Sequence, residues 1–156
     1  MEKGDIKRVA ELEKLCFRTP WSENALKSEL KNRVAVYRVG LLDDRIITYA
    51  GMWVMFDEAH ITNVAVDPEC RGHGYGRRIM LTMMQAALQH GAERMTLEVR
   101  EHNAVAQNLY YSMGFYKNGV RKRYYSDSGE DAFILWNDSI IKVLESAPPV
   151  DTPPAQ

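Results

Sequence analysis

The chain has 156 residues, of which 46% are hydrophobic and 26% are charged, and its formal net charge is −1. This is the composition of one globular domain with a core large enough to fold by itself. A net charge near zero excludes a global basic field that recruits nucleic acid, and no apolar run approaches the length of a membrane span. Two distant cysteines and four histidines match no metal-ligand spacing. We therefore expect a cytoplasmic protein without a metal, and without direct contact to nucleic acid or membrane.

The amino-terminal part predicts two helices and a hairpin. Apolar residues recur at helical spacing after Asp5 and again after Ser22, and Asp and Ser are residue types that cap helix N-termini. Two apolar strands follow over 34–42 and 45–56, separated by a pair of aspartates that is typical of a turn.

Strands and helices alternate through the rest of the folded part. The third strand ends before Pro68, because proline donates no hydrogen bond to a β-ladder. Methionines and alanines at three- and four-residue spacing after Gly76 predict a helix that ends near Gly91. The further predicted elements are strands over 59–66, 94–99, 115–125 and 131–136 and a helix that begins at Asn103.

This order of elements predicts an α/β (or α+β) domain, a mixed sheet with helices on both faces. We expect it to occupy residues 1–137. Residues 138–156 are expected to form a short helix over 139–145 and a flexible tail that holds four of the six prolines.

The stretch VAVDPECRGHGYGRR, residues 64–78, places three glycines in a basic loop between a strand and a helix. Arg77 stands where a dinucleotide-binding fingerprint needs its third glycine, and the Lys-Ser/Thr pair of a Walker A loop is absent. What remains is R-x-x-G-x-G from Arg71 to Gly76. Backbone N–H groups in such a loop, aided by the positive end of the next helix, can hold a pyrophosphate. The alternative is a plain glycine-rich turn with solvated arginines.

R-x-x-G-x-G preceded by V-A-V-D-P resembles the acetyl-CoA signature of the GNAT family of N-acetyltransferases, and the resemblance extends over residues 5–136. FRTPWSE, LEVREHNAVAQNLYYSMGF, RKRYY and EDAFIL, in this order, are similar to the RimI type of that family. Enzymes of this type acetylate protein N-termini, typically an alanine on a small-subunit ribosomal protein. The family usually begins with a full strand, whereas only residues 1–4 precede the first helix here.

The resemblance implies a mostly antiparallel sheet and a direct transfer of acetyl from acetyl-CoA to the N-terminus of a protein, a ribosomal protein being one such acceptor. The third strand would run along the pantetheine arm, and the glycine loop would hold the pyrophosphate. The alternatives are an ordinary core strand and, for Asn103, a plain helix cap; both are compatible with coenzyme binding. The implied coenzyme-binding residues are Val64, Ala65, Val66, Arg71, Gly72, His73, Gly74, Tyr75, Gly76, Arg77 and Asn103.

Two further residues receive catalytic roles from the resemblance. Strand alternation places Glu98 opposite the apolar face of MTLEV, and an acidic residue in a central strand is costly unless it is solvated, paired or functional. The alternatives for Glu98 are an ion pair with Arg100 or a position at the end of the sheet; the resemblance makes it the general base. Tyr110 lies in an apolar helix stripe and is by itself a core residue, whereas the resemblance makes it the general acid that protonates the coenzyme A thiolate.

The resemblance also implies that Tyr124 and Tyr125 line an acceptor-peptide groove, with Phe17 and Trp21 on its other wall. The alternative is ordinary aromatic packing along a strand. Three rival functions remain open from the sequence. They are acetylation of a lysine or a small-molecule amine, acyl-CoA binding without catalysis, and ATP binding by the glycine loop.

Overall fold

Helices cover both faces of one six-stranded sheet, which confirms the predicted class. A computed structural model of the protein describes residues 1–148, so most of the predicted proline-rich tail lies outside the described residues. The helices are α1 (Ile6–Cys16), α2 (Glu23–Glu29), α3 (Tyr75–Gln89), α4 (Ala104–Ser112) and α5 (Ile140–Ser146). The strands are β1 (Ala35–Leu42), β2 (Arg45–Met55), β3 (Glu58–Val66), β4 (Arg94–Arg100), β5 (Tyr116–Tyr125) and β6 (Glu130–Asn137).

The two faces of the sheet have separate cores. Helices α1 and α2 bury Leu12 and Leu26 against Tyr49 on one face. Helices α3 and α4 bury methionine, alanine and Tyr110 side chains on the other face. Helix α5 adds Ile140 to that second core, so the residues after the last strand pack onto the domain.

The predicted cap of α2 is confirmed, whereas the predicted cap of α1 is confirmed in position only. Ser22 caps α2, since its Oγ accepts a hydrogen bond from Ala25 N at 3.1 Å. Asp5 is the N-cap residue of α1, but its side chain makes no capping hydrogen bond to that helix. Its carboxylate instead accepts from Glu2 N at 2.7 Å and closes the 3-10 turn Lys3–Asp5 that precedes α1.

Strands β3 and β4 separate near the middle of the sheet, whose order is β1-β2-β3-β4-β6-β5. They form the one parallel pair among the described strands, and only residues 58–60 pair with residues 94–96. Directly after this short ladder, β3 carries one extra residue, Thr62, because Met52 pairs with Ile61 whereas Gly51 pairs with Asn63. A bulge bends its strand, and this one coincides with the point where β3 leaves β4. The resulting cleft opens in the centre of the molecule.

Candidate active site

A groove of about 490 Å³ occupies the cleft between β3 and β4. Residues 61–64 of β3 and residues 97–100 of β4 line the groove. The segment after α1 and the end of β5 complete its lining. The fold thus brings together side chains from five separate parts of the chain. The predicted site residues that line the groove are Phe17, Trp21, Val64, Glu98, Asn103, Tyr110, Tyr124 and Tyr125.

Glu98 lies at the centre of the groove with both carboxylate oxygens hydrogen-bonded. His60 Nε2 lies 2.6 Å from Oε2, and Arg121 Nε donates to Oε1 at 3.1 Å. Only 9% of the Glu98 side chain is exposed. Burial raises the pKa of this carboxyl, but the hydrogen bonds and charges of His60 and Arg121 outweigh burial, so the pKa of Glu98 falls below its ordinary value. Glu98 is therefore ionised at neutral pH.

Arg100 is not the partner of Glu98 that the sequence offered as an alternative. Its guanidinium donates to Asp127 Oδ2 at 2.7 Å and lies 3.9 Å from the centre of the Tyr125 ring. Successive residues on a strand point to opposite faces, but residues two apart share a face, and here the turn after β5 reaches Arg100 first. The ion pair of Arg100 fastens the turn at the end of β5 to β4.

Tyr110 is both a core residue and a residue of the groove, the two alternatives that its sequence position offered. Its ring is buried and packs edge-on against Phe115 at 5.8 Å between centroids, as a core residue does. The residue also lines the groove, and its hydroxyl makes no hydrogen bond with any part of residues 1–148. Burial, with a smaller contribution from the charge of Tyr125, raises the pKa of Tyr110 to about 12. The hydroxyl therefore carries its proton at neutral pH.

Asn103 caps α4, as its sequence position predicts. Its Oδ1 accepts a hydrogen bond from Ala106 N at 3.2 Å, and the residue also lines the groove. A direct contact between Asn103 and the coenzyme stays a prediction.

The glycine loop leads from β3 into α3, and its backbone donors are unused. Gly72 and Gly74 have φ values of +81° and +82°, a region that other residues enter at a cost, and no atom of the described chain lies within 4 Å of a Cβ built on either glycine. The N–H groups of residues 71–77 donate no hydrogen bond within residues 1–148. Gly76 has a packing role instead, since its Cβ would lie 3.3 Å from Leu109.

The three remaining residues of the loop surround this donor array. His73 is exposed and its ring lies 6.2 Å from that of Tyr75, the first residue of α3. Arg77 donates to Ser112 Oγ at 3.3 Å, which fastens α3 to the end of α4. Free backbone donors at a helix N-terminus with positive charge beside them suit a pyrophosphate, so the loop fits the diphosphate of acetyl-CoA.

The end of β3 offers backbone groups to the cleft at alternate residues. Asp67 donates its N–H to a carbonyl of β2 at 2.7 Å. Hydrogen-bonded pairs alternate along an antiparallel ladder, so the groups of Ala65 also point to β2 and those of Val64 and Val66 point to the open side. The Val66 carbonyl already accepts from Arg71 Nε and from Cys16 Sγ, each at 3.3 Å. The backbone groups of Val64 and the N–H of Val66 can still bind an extended arm as a neighbouring strand would, whereas Ala65 contributes packing.

A bulge at the end of β5 sets the position of Tyr124. The strand pairs with β6 at Arg121 and again at Tyr125, and the three residues between them bulge. Asp131 accepts hydrogen bonds from Arg123 N at 2.8 Å and from a neighbouring lysine, which holds Arg123 at a φ of +51°. Tyr124 is 49% exposed and packs edge-on against Tyr125 at 5.1 Å.

Glu13, a residue that our sequence reading missed, anchors the opposite wall. It is 1% exposed and accepts hydrogen bonds from Trp21 N at 2.9 Å, Asn63 Nδ2 at 3.1 Å and the Tyr49 hydroxyl. Burial raises its pKa. A signal was present in the sequence, because Glu13 occupies an i+4 position in the apolar stripe that contains Val9.

The chain matches the model of the acetyltransferase (GNAT) family over residues 6–115. It therefore belongs to the GNAT family and is an acetyl-CoA-dependent N-acetyltransferase. It is 39% identical over 137 residues to a Bacillus subtilis (strain 168) protein, with 87% of this chain and 91% of that protein covered.

The Bacillus subtilis protein is named as a putative ribosomal protein bS18-alanine N-acetyltransferase, and two further relatives carry this name without the qualifier. The Haemophilus ducreyi enzyme is 35% identical, with 84% of this chain and 92% of that protein covered. The crystal structure of the Escherichia coli enzyme superimposes with a TM-score of 0.81 at 30% identity, covering 88% of this chain and 89% of that one. These similarities confirm the predicted resemblance to the RimI type within the GNAT family.

No helix in residues 1–148 is long and apolar enough to cross a lipid bilayer. The same residues hold no cluster of three or more His, Cys, Asp or Glu side chains suited to a metal ion.

Proposed function

We propose that the enzyme acetylates the N-terminal α-amine of a protein, with Glu98 as the general base. One observation carries the proposal: the ionised, nearly buried carboxylate of Glu98 lies in the groove together with Tyr110, a protonated tyrosine whose hydroxyl has no hydrogen-bond partner in residues 1–148. A base and an acid in one cleft are what amide formation from an amine and a thioester requires.

Each residue has one task in the transfer. Acetyl-CoA supplies the thioester, which is the electrophile. Glu98 takes a proton from the acceptor ammonium, directly or through a water molecule, and frees its lone pair for attack on the thioester carbon. As the C–N bond forms and the C–S bond breaks, Tyr110 protonates the departing thiolate. The proton left on the new amide nitrogen is then released, so one proton leaves the enzyme per turnover.

The magnitude of amine ionisation favours an α-amine over a lysine. An α-amine with a pKa near 7.8 is about 14% neutral at pH 7, whereas a lysine with a pKa near 10.4 is about 0.04% neutral. An N-terminus therefore demands about 300-fold less of the base. A carboxylate whose own pKa is lowered is a weak base, and it suits the less demanding acceptor.

The walls of the groove and the names of the relatives narrow the acceptor. Phe17, Trp21, Tyr124 and Tyr125 all line the groove. This aromatic lining suits the first residues of an extended peptide. The Haemophilus and Escherichia relatives are named for acetylating an alanine of ribosomal protein bS18. We infer the same acceptor class here, a ribosomal protein with an N-terminal alanine, and a cytoplasmic site of action.

Two peptides test the proposal. One has a free N-terminal alanine and blocked lysines, and the other has a blocked N-terminus and a free lysine; tandem mass spectrometry locates the acetyl group after incubation with acetyl-CoA. We expect acetylation of the alanine peptide alone. Acetylation of the lysine peptide alone would overturn the acceptor class, and binding of acetyl-CoA without product from either peptide would favour a small-molecule acceptor or a non-catalytic module.

Matched variants test the catalytic assignments in the same assay. Glu98→Gln and Tyr110→Phe each remove one proton-handling group, and such groups typically contribute about 10²- to 10⁴-fold to the rate. Glu23→Gln, at the exposed start of α2, and Tyr111→Phe, on the outer side of α4, are controls that keep the wild-type rate. A wild-type rate in Glu98→Gln would exclude this carboxylate as the base.

A further inference from the structure

His60 is the last residue of β3 that pairs with β4, and it lies behind Glu98 as seen from the groove. It pairs with Thr96, two residues before Glu98 on the same face of the sheet. Its side chain is 33% exposed, against 9% for Glu98, and it is not among the residues that line the groove. Glu98 thus lines the groove, whereas its partner His60 lies outside the groove lining and is partly exposed to solvent.

The chemistry of the pair fixes the position of one proton. An ionised carboxylate only accepts hydrogen bonds, so His60 carries a hydrogen on Nε2 and donates it to Oε2 over 2.6 Å. Arg121 donates to the other oxygen. The two donors approach from different strands, and each oxygen keeps lone pairs for a proton from the groove. Each carboxylate oxygen is therefore fixed by one donor and can still accept a proton from the substrate.

We propose that His60 is a positioning residue that fixes the carboxylate of Glu98 for proton abstraction. The inference rests on the proposed function, since it takes Glu98 as the base. His60 does not reach the acceptor; it acts by limiting the rotation of the carboxylate. Without it, Oε2 loses its single donor among the described residues, and the carboxylate turns toward Arg121.

Steady-state kinetics on the free-alanine peptide test the inference. Misplacement of a catalytic group by about 1 Å costs up to about 100-fold, so we expect His60→Ala to lower kcat by about 10- to 100-fold. The KM values for peptide and acetyl-CoA should stay within about twofold, because His60 touches neither binding surface. His60→Gln restores an N–H donor and should return kcat to within about threefold of wild type at pH 8.

The rescue by His60→Gln and the split between kcat and KM separate positioning from a purely structural role. A loss of packing alone would leave His60→Gln and His60→Ala with similar kcat values or would raise both KM values. Either result would overturn the positioning role.

A double-variant comparison keeps the inference distinct from the proposed function. In the Glu98→Gln background, His60→Ala should cause no further loss, because His60 acts through Glu98. If Glu98→Gln is inactive and His60→Ala has the wild-type kcat, the positioning role is wrong and the base assignment stands. If Glu98→Gln is fully active, the base assignment is wrong and the inference falls with it. His60→Asn, whose shorter amide cannot reach Glu98, replaces His60→Ala if that variant does not fold, and His90→Gln at the end of α3 is the control.

Discussion

The proposed coenzyme half and the proposed acceptor half of the site are built by different means. The coenzyme half consists of the end of β3 and the glycine loop that follows it, and it offers mainly backbone groups: those of Val64, the N–H of Val66 and the free N–H groups of residues 71–77. The acceptor half consists of side chains from the segment after α1 and from the bulged end of β5.

This difference predicts which amino-acid substitutions each half can tolerate. Backbone groups are present in every sequence, so the coenzyme half depends on a few residues that give the chain its path, above all the glycines and Asp67. The acceptor half depends on which side chains are present and on the buried groups that fix them. Substitutions in the first half should act on acetyl-CoA, and those in the second half on the peptide.

The largest effect is expected for Glu13, which fixes the acceptor wall. Glu13→Ala leaves three donors without an acceptor, and each orphaned buried group costs about 1–3 kcal/mol. We expect the free energy of unfolding to fall by about 3–5 kcal/mol, measured by urea denaturation. Glu13→Gln keeps one acceptor oxygen and should lose less stability while raising the KM for peptide. A Glu13→Ala midpoint equal to that of wild type would show that the wall does not depend on this anchor.

Asp67 has the corresponding role at the start of the coenzyme loop. Its carboxylate binds Arg8 at 2.7 Å, Arg45 at 2.9 Å and Glu69 N at 3.0 Å. Asp67→Asn removes the charge, and hydrogen bonds to charged groups are worth about 1.5–3 kcal/mol, so we expect a loss of about 2 kcal/mol at pH 7.

Acid should abolish this difference between wild type and Asp67→Asn. Burial raises the pKa of Asp67, but the hydrogen bonds from Glu69 and Arg8 and the charge of Arg45 outweigh it, so the pKa lies below the ordinary value of 3.8. A lowered pKa stabilises the fold fully above the ordinary value, and that stability is lost as pH falls through the folded-state value. Urea denaturation at pH 7 and near pH 3 measures this. An undiminished difference at the lower pH would contradict the assignment.

Gly74 tests the backbone half directly. A side chain at a φ of +82° costs about 1–2 kcal/mol, and a shift of 1.4 kcal/mol is tenfold in binding. We expect Gly74→Ala to raise the KM for acetyl-CoA by about tenfold and to leave the KM for peptide unchanged. Gly4→Ala is the control, since Gly4 has an ordinary φ and open space around its Cβ. Equal changes in both KM values would contradict the assignment of Gly74 to the coenzyme half alone.

The smallest effect on stability is expected at Tyr124. Because its side chain is half exposed, Tyr124→Ala should change the free energy of unfolding by less than about 0.5 kcal/mol. The KM for peptide should nevertheless rise several-fold, with the KM for acetyl-CoA unchanged. Tyr111→Ala, a comparably exposed tyrosine on α4, should change neither. A change in the KM for acetyl-CoA alone would assign Tyr124 to the other half.

The glycine loop can be recognised in the sequence more directly than the surroundings of Glu98 can, for a physical reason. The strand, R-x-x-G-x-G and the start of α3 are contiguous, so spacing and residue type suffice to read them. The partners of Glu98 are not contiguous: His60 precedes it by 38 residues and Arg121 follows it by 23. Strand alternation placed Glu98 on the correct face, but it favoured Arg100 as the alternative partner, and no local pattern encodes which strands become neighbours.

β-Bulges account for much of what the sequence did not predict about the groove. The extra residue Thr62 in β3 and the bulge before Tyr125 in β5 shift the register just where the groove forms. Arg123 has a left-handed φ without being glycine, held there by Asp131. Propensity and periodicity predicted the six strands to within one or two residues, but they carry no information on single-residue shifts of register.

Hydrogen exchange of the backbone amides tests most directly whether the site is divided into a coenzyme half and an acceptor half. The N–H groups of residues 71–77 have no acceptor within the described chain, so they should exchange rapidly in the free enzyme. We predict that acetyl-CoA alone slows exchange in residues 64–77, and that an alanine peptide added afterwards slows exchange in residues 17–22 and 121–126. Rapid exchange in residues 71–77 with acetyl-CoA bound, or protection of both halves by the coenzyme alone, would contradict the account.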